Sequence, residues 1–213
     1  MTHNLAGILK LMLVTDDALV AGRDLVALCQ AAERGGVTAV QLRLKLTGAR
    51  ELASAARELL GALRVPLFVN DRLDVALAVG AAGVHLGPDD IPVPMARRIV
   101  PAGFLVGASV GSAAEAGQGA LADYWGVGPL RGTATKADAG SAIGADGFAQ
   151  IVRLAPKGVP CVAIGGVLPE DVNQVLDAGG AGVAVVRGIL GEEDVETAAR
   201  KYAGASAPRR LGN

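Results

Sequence analysis

The segment Gly126-Val127-Gly128-Pro129-Leu130-Arg131-Gly132-Thr133-Ala134-Thr135-Lys136 passes from an apolar run into glycines, hydroxyls and one lysine. Small residues let backbone N–H groups approach anionic oxygens, threonine hydroxyls add donors, and Lys136 supplies a point charge. Such a loop suits a phosphate, the alternative being a solvated glycine turn. Other clusters strengthen the first reading. Gln41-Leu42-Arg43-Leu44-Lys45 places three polar donors, two of them cationic, at alternate positions, so one side of a strand end would carry Gln41, Arg43 and Lys45. Asn70-Asp71-Arg72 and Gly87-Pro88-Asp89-Asp90 add carboxylates after two further apolar runs. Asp71 and Asp90 together suit a hard cation such as Mg²⁺, which takes a few carboxylates plus water and substrate phosphate. Asp89 reads instead as a helix cap. Late in the chain, Ala163-Ile164-Gly165-Gly166-Val167 and Val185-Val186-Arg187-Gly188 offer a second, backbone-based anion site.

Positioning these residues requires a scaffold that brings many loops together. Apolar runs recur at Leu9–Val14, Ala39–Arg43, Pro66–Asn70, Gly83–Leu86, Leu105–Val110, Tyr124–Gly128, Cys161–Gly165 and Gly182–Arg187. They read as buried parallel strands. Between them lie segments with helical spacing, such as Leu52, Ala55, Ala56, Leu59, Leu60 and Leu63. The alternation fits an α/β fold, either a closed (β/α)₈ TIM barrel or an open doubly wound sheet. The barrel is favoured, because Thr15-Asp16-Asp17 stands where an open nucleotide-binding sheet would carry its glycine fingerprint. We expect one compact domain over residues 1–213, with tails at 1–8 and 206–213.

Composition agrees. The 213 residues are 51% hydrophobic but only 3% aromatic, so Val, Leu, Ile and Ala must fill the core. A formal net charge of -1 supplies no global field for nucleic acid or an anionic membrane, so any anionic ligand needs locally placed cations. Charged residues interrupt every apolar run before the ~20 residues of a spanning helix. The N-terminus lacks the features of a secretory signal, and a cytoplasmic location is expected. Two cysteines, Cys29 and Cys161, without a CxxC pair support neither a disulfide framework nor a zinc site. His85 reads as a satisfied structural residue that also has the option of facing a ligand. Tyr124 and Trp125 read as seals between strand and helix.

Taken together, QLRLK at 41–45, NDR at 70–72, GVHLGPDD at 83–90, GPLRGTATK at 128–136 and AIGGV at 163–167 resemble the thiamine-phosphate synthase family, from about residue 11 to 190. The resemblance implies a (β/α)₈ barrel that joins 4-amino-2-methyl-5-(diphosphomethyl)pyrimidine to 4-methyl-5-(2-phosphoethyl)thiazole, or its carboxylated form. The products would be thiamine phosphate and diphosphate. Carried over by position, Gln41, Leu42, Arg43, Leu44, Lys45, Asn70, Ser109 and Lys136 would meet the pyrimidine diphosphate. Arg43, Lys45, Ser109 and Lys136 among them would assist the chemistry, and Asp71 and Asp90 would hold Mg²⁺. Thr133, Ala134, Thr135, Gly166, Val186 and Arg187 would contact the thiazole phosphate. The implied mechanism is dissociative: diphosphate departs, and the thiazole nitrogen captures a pyrimidine-methyl cation. Arg187 stands where the family commonly has serine, Val110-Gly111-Ser112 follows Ser109 where a His-Thr pair is frequent, and Pro88 stands where glutamine is common. The alternatives are a paralogue that isomerises a thiazole phosphate carboxylate and a non-catalytic barrel that binds thiamine precursors. The expected partners are small phosphorylated molecules, with neither nucleic acid nor membrane, and a homo-oligomer is left open.

Overall fold

A computed structural model describes residues 4–132 and 141–205. Eight strands form a closed barrel in sequence order: β1 (Leu11–Val14), β2 (Ala39–Leu42), β3 (Leu67–Asn70), β4 (Gly83–Leu86), β5 (Leu105–Val110), β6 (Tyr124–Val127), β7 (Cys161–Ala163) and β8 (Gly182–Val185). Each pairs in parallel with the next, and β8 returns to β1 with Leu13 opposite Val185. Parallel strands are covered on both faces, so β1, β2, β4 and β8 are buried at every position and apolar apart from Gln41 and His85.

Helices surround the barrel: α1 (Leu5–Ile8), α2 (Asp17–Val20), α3 (Leu25–Arg34), α4 (Ala49–Ala62), α5 (Leu73–Val79), α6 (Val93–Ala96), α7 (Gly144–Val152), α8 (Asp171–Asp177), α9 (Arg187–Leu190) and α10 (Val195–Ala205). The longer ones bury one stripe each. In α4 the stripe is Leu52, Ala56 and Leu59, spaced four and three residues apart. Asp24 starts α3 by accepting a hydrogen bond from the Ala27 N–H at 3.0 Å.

Two apolar layers result. Outward-facing strand residues and the helix stripes form the larger one, while Met12, Val14, Ala39, Phe68, Tyr124, Val162 and Ala184 fill the barrel. Tyr124 therefore packs inside the barrel, edge-on to Phe68 with centroids 5.6 Å apart, and not against a helix. Trp125, one residue on, turns outward and donates its indole N–H to the Gly119 carbonyl at 2.8 Å. The two large rings fit because small residues oppose them: a Cβ at Gly107 would enter the Tyr124 ring, and one at Gly83 would lie 2.9 Å from Phe68 Cε1.

Several elements differ from the expected boundaries. Residues 5–8 form a helical turn capped by the Asn4 side chain, and Leu5, Ile8 and Leu9 pack beneath the inner layer. The strand starts only at Leu11, because Leu9 closes that turn by donating to the Leu5 carbonyl. At the other end β8 stops at Val185, and Arg187 begins α9 rather than continuing the strand.

Candidate active site

The C-terminal ends of the strands surround a cavity of about 640 Å³, in the range of about 300–1,000 Å³ typical of small-molecule sites. Gln41, Arg43, Lys45, Asn70, Asp71, Asp90, Ser109, Gly166, Val186 and Arg187 all line it. Leu42 does not: it is fully buried in the outer layer, and Leu44 packs partly against the same layer. Pleat alternation sends these two leucines away from the cavity, which leaves any contact with a ligand to their backbones. Thr133, Ala134, Thr135 and Lys136 lie outside the described residues.

The first half of the site is built on β2, β3 and β4. Gln41 points inward from β2 and is almost fully buried. Beyond Leu42 the strand ends, and residues of the β1 loop take over. Arg43 N–H donates to Thr15 Oγ1 at 2.8 Å, and its guanidinium meets Asp16 Oδ2 at 3.2 Å. Asp17 then accepts the N–H groups of Lys45 at 2.8 Å and Leu46 at 3.2 Å. Thr15, Asp16 and Asp17 thus hold Arg43 and Lys45 in place, a role that sequence reading missed. The available signal was a run of hydroxyl and acids at the turn after the first strand.

Asp71 adopts φ 62°, the left-handed region that an Asp enters more readily than most residues. This backbone lets its N–H donate to the His85 carbonyl on β4 at 2.9 Å. Its carboxylate lies 3.4 Å from Lys45 Nζ. Asp90 accepts the Gly87 N–H at 2.6 Å, so Asp90 rather than Asp89 closes this turn. Asp89 lines the cavity, and the cap position of α6 belongs to Pro92. Burial first, and then the neighbouring Asp71 carboxyl, push the Asp90 carboxyl up to about 6. Two crowded acids of this kind are a donor set that fits a hard cation.

The cavity floor is a polar chain. His85 bridges the Tyr124 hydroxyl at 3.1 Å and Ser109 Oγ at 3.0 Å through its two ring nitrogens. Desolvation holds the Tyr124 phenol above its ordinary range, so it stays protonated. His85 is thus both a satisfied buried residue and part of the cavity wall. On the adjoining loop Glu115 accepts the Gly111 N–H at 2.8 Å and the Ser112 hydroxyl at 3.0 Å.

The second half of the site lies at β7 and β8. Gly165 and Gly166 have φ of 90° and 63°, and a Cβ at Gly166 would sit 2.9 Å from both Arg131 Cβ and the Gly132 carbonyl oxygen. Only glycine allows this turn to pass so close to the chain leaving β6, where the Gly128–Pro129 peptide is cis. Among the described residues no acceptor takes the N–H groups of Gly165, Gly166, Arg187 or Gly188. Unpaired N–H groups at a cavity wall form an anion nest. Arg187 adds charge to it. Arg43 and Lys45 are paired with Asp16 and Asp71, whereas Arg187 has no acid partner among the described residues.

Fold and site together define a (β/α)₈ barrel protein that takes phosphorylated small molecules at the C-terminal ends of its strands. The family described as thiamine monophosphate synthase matches residues 11–189. A thiamine-phosphate synthase of Azorhizobium caulinodans is 47% identical over 197 residues, covering 90% of this chain and 92% of the relative. That of Syntrophomonas wolfei is 44% identical over 197 residues, with 90% and 93% covered. Among solved structures, a thiamine phosphate pyrophosphorylase from Pyrococcus furiosus superposes with a TM-score of 0.85 at 37% identity, covering 95% of this chain and 97% of that one. The chain belongs to the thiamine monophosphate synthase family.

Proposed function

We propose that this chain condenses 4-amino-2-methyl-5-(diphosphomethyl)pyrimidine with 4-methyl-5-(2-phosphoethyl)thiazole to form thiamine phosphate and diphosphate. The observation that carries this reading is the division of one cavity into two unlike anion sites. The side at β2 to β4 gathers Arg43, Lys45, Asp71 and Asp90, while the side at β7 and β8 offers Arg187 and glycine N–H groups with no acceptor among the described residues. A diphosphate and a monophosphate then have separate places, with the two rings between them. An isomerase acting on a thiazole phosphate alone would have no use for the first side.

The acids fit a magnesium ion. Asp71 and Asp90 are close enough to raise the latter's proton affinity, and no third acid joins them among the described residues. Mg²⁺ commonly binds through one or two carboxylates and completes its shell with substrate phosphate and water. Charge balance points the same way: Arg43, Lys45 and Arg187 share the cavity wall with Asp71, Asp89, Asp90 and Glu115, so the described lining is not cationic on balance. When bound by Asp71, Asp90 and the diphosphate, the metal would supply Lewis-acid neutralisation of the charge developing on the leaving group.

The chain's own residues account for the remainder. Arg43 and Lys45, held by the β1 loop, stabilise negative charge on the departing diphosphate without reorganising. The polar floor of Gln41, His85 and Ser109 orients the pyrimidine, and the glycine nest with Arg187 fixes the thiazole phosphate so that the ring nitrogen faces the methylene carbon. The C–O bond to diphosphate breaks, the thiazole nitrogen lone pair forms the new C–N bond, and no side chain need donate or accept a proton. The test is direct: purified protein, both substrates and Mg²⁺, with thiamine phosphate read as fluorescent thiochrome after oxidation. Product formation is expected, and binding of both substrates without product would refute the reading.

A further inference from the structure

Arg131 follows β6, four residues beyond its end at Val127, and its guanidinium makes a two-pronged contact with Asp171 on α8, at 2.8 and 2.7 Å. The two ends of this pair are unlike. The Asp171 side chain is 5% exposed and that of Arg131 is 50% exposed. Asp171 also accepts the Leu168 N–H at 2.9 Å, so one carboxylate ties together the start of α8, the β7 loop and the β6 loop. Between these anchors the backbones run side by side: Leu130 N–H donates to the Ile164 carbonyl and Arg131 N–H to the Gly165 carbonyl, at 2.8 and 2.9 Å. Gly166 then packs directly on Arg131 Cβ and the Gly132 carbonyl oxygen.

We propose that the Arg131–Asp171 pair is a positioning device for the phosphate nest, fixing the Gly165-Gly166 turn by clamping the stem of the β6 loop against it. The inference rests on the assignment of the nest to the thiazole phosphate. Neither side chain lines the cavity, so the pair acts through the glycine turn rather than on substrate. A bidentate Arg–carboxylate contact fixes direction as well as distance, which a lysine at 131 would not do. Because half of the arginine is in water, the pair's worth is limited, and its loss should weaken binding by about fivefold.

The experiment is a double-mutant cycle on Arg131→Met and Asp171→Asn with steady-state kinetics for each substrate. The expected result is a KM for the thiazole phosphate raised about fivefold in each single variant, with kcat and the KM for the pyrimidine diphosphate unchanged. The double variant should match the singles, and Arg131→Lys should restore only part of the loss. Asp171 is buried and its replacement risks misfolding, but the half-exposed Arg131 gives a folded variant in which the KM split alone decides. Equal increases in both KM values, or loss of thermal stability with neither KM altered, would overturn the proposal. Wild-type turnover separately tests the reaction. Were it absent, calorimetric titration of 4-methyl-5-(2-phosphoethyl)thiazole into the same variants would read the pair, and failure of the wild type to bind it would overturn both.

Discussion

Replacing Gly166 with alanine tests the phosphate nest with little other chemistry, and the magnitude follows from two separable costs. At φ 63° an L-residue pays roughly 1–2 kcal/mol for left-handed backbone. Gly80→Ala provides the control, since Gly80 has φ 74° at the exposed end of α5 and nothing within 4 Å of its missing side chain. In a chain of this size each kcal/mol lowers the melting temperature by about 2–4 °C, so the control should lose roughly 2–8 °C with unchanged kinetics. At Gly166 the new Cβ would also lie 2.9 Å from Arg131 Cβ and from the Gly132 carbonyl oxygen, both on the opposing stem. The turn must move by several tenths of an ångström, roughly the tolerance of a hydrogen bond. Loss of even one charge-assisted N–H contact to phosphate costs about 1.5–3 kcal/mol, or at least about tenfold in affinity. Isothermal calorimetry and initial rates should therefore show a KM for the thiazole phosphate at least about tenfold higher in Gly166→Ala, with pyrimidine diphosphate binding retained. An unchanged KM, with thermal loss equal to that of Gly80→Ala, would refute the nest.

Three other outcomes follow from the same geometry. Arg187→Ser removes a cavity cation that has no acid partner among the described residues, and should raise the thiazole phosphate KM by about tenfold or more while sparing thermal stability, checked by kinetics and melting. Asp90, with its carboxyl raised to about 6 in the fold, holds a proton that its unfolded form releases near the ordinary carboxylate value. Without metal, stability should fall as pH rises from about 4 to 6, and Mg²⁺ affinity should drop about tenfold per unit as pH falls below about 6. Chemical denaturation and fluorescence titration across pH read these two effects, and a flat profile in Asp90→Asn would assign them. Gly107→Ala forces a methyl group into the Tyr124 ring, and should destabilise the barrel by about 1–3 kcal/mol or more, measured as a lowered urea midpoint.

Much of this molecule is legible in its sequence because apolar runs and strand ends obey short-range rules. Eight buried strands could be counted, and the polar residues at their C-terminal ends named the cavity wall from Gln41 to Arg187. What escaped reading depends on contacts between loops distant in sequence. Alternation alone put Lys45 on the side of Arg43, yet the strand stops at Leu42, and it is Thr15, Asp16 and Asp17 from another loop that carry the backbone onward. A local reading gives the capping role to Asp89, whereas the Gly87 N–H goes to Asp90 and Pro92 takes the cap of α6. Tyr124 and Trp125 exchange inside for outside with one residue of register, which no composition reveals. Pro169-Glu170-Asp171 reads locally as a helix start, and so it is, but nothing local points to the partner of Asp171, 40 residues earlier.

The pairing of β8 with β1 has a bearing on how the protein is made. The acidic and cationic half of the cavity sits on β2 to β4 and leaves the ribosome early, but the glycine nest and the strand that closes the ring arrive last. At translation speeds of roughly 5–20 residues per second, β1 waits on the order of ten seconds with one edge unsatisfied. Any other extended chain in reach is a competitor for that edge. The helical turn at residues 5–8, packed under the inner layer, is present from the outset beside it. A nascent chain halted before residue 182 thus lacks Arg187 and Gly188 and keeps an open seam.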